Sequence, residues 1–231
     1  MKLLALDTSS VACSVAVQLD DALFERHEEQ PREHTRILLP MVRAAIEEAG
    51  VSLDALDAIV LGNGPGSFIG MRIAASVAQG LAYGAGLRIM PVSSMAAVAA
   101  EVFGTRDATE VVVTQDAHMH EAYLGIYRQG EDGLPQAKYP ERLCAQGAIA
   151  ELSDDLAGPR LAAGFGWQRY PGLLEANRDR FDAVVDKLHP CARYLLGLGA
   201  AGLQQGKAVD PRAIDPAYLR QKVAEKPASA T

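Results

Sequence analysis

Hydrophobic and polar positions fall into strand-length and helix-length blocks along most of the chain. Leu3 to Leu6 is an apolar run that ends in Asp7-Thr8-Ser9-Ser10. Val11, Cys13, Val15, Val17 and Leu19 then alternate with small or polar residues. An apolar run, a polar turn and a period of two predict an N-terminal β-hairpin, with Phe24 to Gln30 as a third, polar strand. From Thr35 the period lengthens. Ile37, Leu38, Met41, Ala45 and Ala49 share one side, and Leu39, Val42 and Ile46 the adjoining side. Thr35 as N-cap and Gly50 as stop predict a helix over 35–49, with Pro40 drawing its start toward itself. Ala58 to Leu61 reads as a short strand entering the glycine-rich segment Gly62-Asn63-Gly64-Pro65-Gly66-Ser67. A helix over 68–83 follows, whose polar stripe is only Arg72, Ser76 and Gln79. Arg88 to Val92 is a further strand, and Ser93 opens a helix ending near Phe103.

The opening pattern then recurs. Glu110 to Thr114 is an apolar strand, Gln115-Asp116-Ala117 a turn, and Ala122, Leu124 and Ile126 alternate along a second strand. Two strand-turn-strand units, each with an Asp in the turn after its first strand, indicate a duplicated architecture. Leu161 to Ala163 heads a short strand into Gly164-Phe165-Gly166-Trp167, and a helix runs over 191–203. Pro211, Pro216 and Pro227 punctuate the tail, whose last residues are expected to be mobile.

Composition narrows the class. The 231 residues are 49% hydrophobic and 22% charged, which suits a folded globular chain. The formal charge of −7 and the absence of any Lys/Arg run argue against a chain that is itself the main binder of a polyanion. Cys13, Cys144 and Cys191 are far apart and form no C-x-x-C pair, so neither a disulfide framework nor a zinc site is indicated. The apolar stretch before Asp7 is too short for a signal peptide or a membrane span, and a reduced, cytoplasmic protein is expected.

Candidate chemistry is sparse. Asp7-Thr8-Ser9 either makes turn hydrogen bonds or holds an Asp near phosphate and metal, as such a turn does in actin-like phosphotransferases. Gly64, Gly66 and Ser67 open a helix. They serve either a strand-to-helix turn packed on another backbone, or an anion at the helix N-terminus. No Gly-Lys-Ser/Thr ending makes this a P-loop. His118 and His120, at i and i+2, would share a strand face but lack a third metal ligand. His34 and His189 stand beside helix starts, and no Ser or Cys sits in a nucleophile elbow or triad pattern. The helices over 35–49 and 68–83 are apolar on more than one face. Either their own lobe's sheet and third helix bury the surplus, or it is a docking surface. The docking candidates are Ile37, Leu38, Met41 and Ala45 on the first helix and Ile69, Arg72, Ile73 and Ser76 on the second. If they dock a partner, Ile37→Asp or Met41→Asp should break the complex and leave the fold intact.

Leu-Asp-Thr-Ser at 6–9, Gly-Pro-Gly-Ser-Phe-Ile-Gly-Met-Arg at 64–72, Asp116-Ala117 with Glu121-Ala-Tyr123, and Pro216-Ala-Tyr-Leu-Arg220 occur in an order that resembles the TsaB (YeaZ) family over nearly the whole chain. The resemblance implies an α/β, actin-like (ASKHA) fold of two RNase H-like lobes with mixed sheets flanked by helices. An N-terminal lobe over 1–105, a second lobe over 106–210 and a tail over 211–231 returning to the first lobe are expected. It implies a non-catalytic subunit that joins a TsaD-like catalytic subunit through helices of the first lobe. A TsaE-like ATPase takes part, tRNA is met only through the complex, and ATP/ADP and metal belong to the partner subunits. A homodimer through a related surface is also implied. Threonylcarbamoyl would pass from its adenylate to the tRNA adenosine beside the anticodon. The paired metal-binding histidines of TsaD-like relatives align with Ser94 and Val98, which cannot replace them. Met71 stands for the usual Leu of the glycine-rich motif and Ile69 for its Thr, and His118-Met119-His120 replaces a basic pair. The rival readings are an autonomous glycoprotease-like metallopeptidase, which needs convergent metal ligands, and an actin-like kinase, which needs a nucleotide site in the isolated chain.

Overall fold

Strands β1 (Lys2–Asp7), β2 (Ala12–Leu19) and β3 (Ala22–Glu29) form an antiparallel meander, followed by helix α1 (His34–Ala49). Strand β4 (Ala58–Gly62), helix α2 (Phe68–Ala85), strand β5 (Arg88–Val92) and helix α3 (Ser94–Thr105) complete the first half. The computed structural model describes residues 1–152, 156 and 158–220. The tail residues expected to be mobile, 221–231, lie outside the described residues.

β4 and β5 join β1 in parallel, giving the five-stranded order β3-β2-β1-β4-β5. Alternation sets the two faces. Leu4, Leu6, Val15, Val17, Ile59 and Leu61 point to α1 and α2, and Leu3, Ala5, Ala16, Ala58 and Val60 point the other way.

The second half repeats the plan with β6 (Glu110–Asp116), β7 (Glu121–Gln129), β8 (Pro135–Ala137), β9 (Arg142–Ala145) and β10 (Arg160–Ala163). Helices α4 (Phe165–Arg169) and α5 (Pro171–Glu175), strand β11 (Ala183–Val184) and helix α6 (Ala192–Gln204) follow. β6 and β7 are antiparallel, β10 and β11 parallel, in the order β11-β10-β6-β7-β8, with β9 also on β7. Two mixed sheets flanked by helices are the duplicated α/β architecture expected from the sequence.

The lobes are not contiguous stretches of chain. α3, before residue 105, packs Met95, Val98, Ala99 and Val102 on Val111, Val113 and Tyr127 of the second sheet. α6, from the second half, packs Ala192, Leu195 and Leu196 on the first sheet. The two helices touch each other and form the shared middle layer between the sheets. Chain order and layer order therefore part at these two helices, one on either side of residue 105. Each sheet's inner face is covered by a helix that the chain order assigns elsewhere, because both inner faces are apolar and must be buried. Trp167, Tyr170 and Leu173 cover the outer face of the second sheet.

Helix boundaries follow the caps. Ser67 and Ser93 accept from the Gly70 and Ala96 amides, and Gly50 and Gly86 close α1 and α2 in the left-handed conformation. α1 starts at His34, not near Pro40, which lies inside the helix on its exposed side. There water can solvate the carbonyl that the proline ring leaves without an amide partner.

Candidate functional site

The end of β1 and the start of α2 meet backbone to backbone. The Thr8 hydroxyl donates to the Gly70 carbonyl at 2.6 Å, and the Ser67 amide donates to the Ser9 carbonyl at 2.6 Å. A Cβ on Gly66 would lie 2.2 Å from the Ser9 oxygen, and one on Gly70 would lie 1.9 Å from the Thr8 oxygen. These glycines are required by close packing against main chain, which cannot swing aside as a flexible side chain would. Gly70→Ala is expected to cost about 3 kcal/mol, read as a lowered urea midpoint with an unchanged slope.

Asp7 is buried at the centre of this contact. One oxygen accepts from the Ser9 amide at 2.7 Å and hydroxyl at 2.8 Å, and the other from the Ser94 hydroxyl at 2.5 Å. Ser94 in turn accepts from the Gly64 amide at 3.0 Å and donates its own amide to the Gly64 carbonyl. Burial pushes the Asp7 carboxyl above the usual range, against the opposing hydrogen bonds from Ser94 and Ser9. A carboxyl raised on folding favours the folded state at low pH, and that contribution is lost as pH rises through its folded pKa. The melting temperature of Asp7→Asn should therefore gain on wild type as pH goes from about 4 to about 8. A difference independent of pH in differential scanning fluorimetry would show that Asp7 is not titrating.

Asp7, Thr8, Gly64, Gly66 and Ser67 are thus brought together, but Asp7 and Thr8 are sealed beneath the contact. Ser9, Gly66 and Ser67 instead edge a cavity of about 550 Å³ between the lobes, with His34, Asp116 and His189 opposite or beside them. Burial lowers the His189 pKa, favouring the neutral ring, which lies 5.5 Å from the Phe165 ring. Asp116 accepts from the Tyr170 hydroxyl at 2.5 Å and the His118 amide at 2.8 Å. His118, Met119 and His120 all have positive φ, at 59°, 52° and 62°. They form the tip between β6 and β7, so the two histidines do not share a strand face; the left-handed backbone removes the alternation that reading assumed. Among the described residues no group of three or more His, Cys, Asp or Glu is placed to hold a metal ion. Val98 is buried in the second core. Burial pushes the Cys13 and Cys191 thiols up to about 12, so neither is a nucleophilic thiolate at neutral pH.

On the outer side of the first lobe, α1 and α2 lie side by side. Ile37, Leu38, Met41 and Ala45 are buried in the lobe's own core, where α1 packs on β2 and β3 and beside α2. As exposed docking residues they require correction, since this is the α1 stripe that faces the sheet. The surface is made instead by Leu39, 49% exposed, and by a stripe of α2 comprising Ile69, Arg72, Ile73, Ser76 and Tyr83. Ile69 and Tyr83 are each 70% exposed. A groove of about 350 Å³ separates the helices, with Leu38 in its lining and Leu39, Ile69 and Ile73 along it. α3 packs on the second sheet and covers none of this surface. Leu39 and Tyr83 were missed in the sequence as docking candidates. The signal was present, since Tyr83 lies four helical turns from Ile69 on one stripe.

Comparison with known proteins agrees with this geometry. The family model described as "TsaD: tRNA N6-adenosine threonylcarbamoyltransferase" matches residues 26–157. The tRNA threonylcarbamoyladenosine biosynthesis protein TsaB of Escherichia coli K12 is 37% identical over 227 residues, covering 98% of this chain and 97% of that protein. The chain belongs to the TsaB family.

The Haemophilus influenzae TsaB is 36% identical over 98% of this chain and 96% of its own length. YeaZ from Pseudomonas aeruginosa superposes with a TM-score of 0.85 at 36% identity, covering 94% of this chain and 99% of that one. Within this TsaB-family fold, two further groups hold the lobe junction. Glu141 accepts from the Ser93 hydroxyl that caps α3 and from the Tyr127 hydroxyl, and Cys191 at the start of α6 donates to Glu25 at 2.6 Å. Neither was visible in the sequence, because each pairs residues far apart in the chain. Among the described residues no helix is long and apolar enough to cross a membrane.

Proposed function

We propose that this chain is the non-catalytic partner subunit of a cytoplasmic complex that modifies tRNA. It docks through the groove and outer stripe of α1 and α2 onto a TsaD-like catalytic subunit. That subunit transfers threonylcarbamoyl from threonylcarbamoyl-AMP to the tRNA adenosine beside the anticodon. A TsaE-like ATPase completes the assembly, ATP/ADP and metal reside on the partner subunits, and tRNA is engaged through the complex. The observation that carries the reading is the group of exposed apolar side chains Leu39, Ile69 and Tyr83, with half-buried Ile73 beside them, on a lobe whose own core is already closed. The charge of −7 supports indirect contact with tRNA.

The rival enzymes find less support in the residues. A kinase would use the first-strand Asp on phosphate or metal, and here both Asp7 oxygens are engaged by Ser9 and Ser94. A metallopeptidase needs convergent ligands, and the positions aligned with metal histidines carry a serine engaged with Asp7 and a buried valine. Reconstitution tests the proposal. Catalytic subunit, ATPase, threonylcarbamoyl-AMP source and tRNA should form modified adenosine only when this chain is added. Equal product without it, or product from this chain alone, would overturn the assignment.

A further inference from the structure

We propose that residues 215–220 form a strap that couples the outer face of α2 to the β6–β7 hairpin of the other lobe. The inference rests on the docking reading for its biological input, because Arg72 belongs to the proposed partner face. The strap itself is seen in the contacts.

Its first end is tied to the first lobe. The Asn63 side-chain amide donates to the Asp215 carbonyl at 3.0 Å, and the Ala217 amide donates to the Asn63 carbonyl at 3.2 Å. Tyr218 then packs at a tilt of 45° against Phe68 at the start of α2, with ring centroids 5.4 Å apart. The Arg72 guanidinium lies over both rings, 3.4 Å from the Phe68 centroid and 5.3 Å from that of Tyr218. Two residues on, Arg220 reaches the second lobe. It donates to the Glu121 carboxylate at 2.6 Å and to the His118 carbonyl at 3.3 Å, and lies 3.3 Å from the Met119 sulfur.

The hairpin it grips needs such a grip. Three successive non-glycine residues in the left-handed region persist only where surrounding contacts over-determine them. The hairpin's own bonds run from the Ala117 amide to the Glu121 carbonyl, from the His118 amide to Asp116 and from the Glu121 amide to the His118 carbonyl. Arg220 adds a charged donor to that last carbonyl. From Tyr218 to Arg220 the chain spans at most about 7 Å. Displacing Tyr218 from Phe68 and Arg72 by more than its small slack therefore pulls Arg220 off the hairpin. His118 lines the cavity between the lobes, so the strap links the partner face to that cavity's rim.

Amide hydrogen exchange on the full chain tests this. Arg220→Gln and Tyr218→Ala are each expected to accelerate exchange at 117–121 by about ten-fold or more, with Val111 to Val113 in β6 unchanged. Tyr218→Ala is the decisive variant, because the Tyr218 ring packs against Phe68 of the first lobe. If it leaves 117–121 at the wild-type rate, Arg220 acts alone and the coupling is refuted; equal acceleration at 111–113 refutes it as well. Adding the catalytic subunit should slow exchange at 117–121 in wild type and not in Tyr218→Ala. Co-elution without that response refutes the strap and leaves docking intact. Failure to co-elute sinks docking alone, with the free-chain variants still deciding the strap.

Discussion

Ile69→Asp is expected to weaken binding of the catalytic subunit by about a hundred-fold or more, while the melting temperature stays within a few degrees of wild type. Ile69 is 70% exposed in the first turn of α2, so a carboxylate there is fully hydrated in the free chain. Docking would strip that water from a charge on the wall of an apolar groove. Loss of an apolar contact and burial of the charge both act against association. Met41→Asp is the instructive contrast. Met41 is 6% exposed and packs against the sheet, so its carboxylate is buried by folding itself. That variant should unfold, contrary to the expectation drawn from the sequence. Analytical size exclusion with the partner, beside circular-dichroism melting of each variant, separates the outcomes. Ile69→Asp co-eluting as wild type does would remove α2 from the interface.

The contrast shows what the sequence made legible. The apolar run Leu3 to Leu6 and the alternation from Val11 to Leu19 located the hairpin, and Ser93 and Gly86 marked helix ends, because these signals are local and each has one structural solution. The apolar width of α1 was visible, but not which arc of it faces the sheet. Ile37, Leu38, Met41, Leu39 and Val42 are all apolar, and only the strand register on the other side distinguishes them. The exchange of α3 and α6 between sheets was likewise hidden. Periodicity reports that a helix has an apolar face, and it does not name the surface that face will meet. The site divides the same way. The glycine-rich segment was legible as a place of close approach, yet the choice between an anion and another backbone lay in the partner atoms, Thr8 and Ser9. Ser94 was read for the histidine it is not. Its hold on Asp7 across 87 positions has no sequence period to betray it.

Glu110→Ala is expected to destabilise the second lobe by about 3–5 kcal/mol. Glu110 begins β6 with no exposed surface. Three cations converge on it: Arg160 at 2.7 Å, Arg128 at 3.1 Å and Lys138 at 3.2 Å. They come from the start of β10, the end of β7 and the segment after β8, so one carboxylate at the start of β6 ties three neighbouring segments together. Removing it leaves like charges facing one another around a cavity, with the Arg160 side chain only 6% exposed. Burial alone would raise the Glu110 carboxyl, but hydrogen bonds from Arg160 and Lys138 and the neighbouring positive charge outweigh it and hold it below the usual range. A carboxyl lowered on folding stabilises the folded state above its unfolded-state pKa, and that stabilisation disappears as pH falls through the lower, folded value. Glu110→Gln keeps the shape and removes the charge, so its stability deficit should be constant near neutrality and close only below about pH 4. Urea unfolding of wild type and Glu110→Gln across that range checks the sign. A deficit that grew on acidification would mean that the three cations do not stabilise the ionised carboxylate, and the second sheet would have to be held at this corner by packing alone.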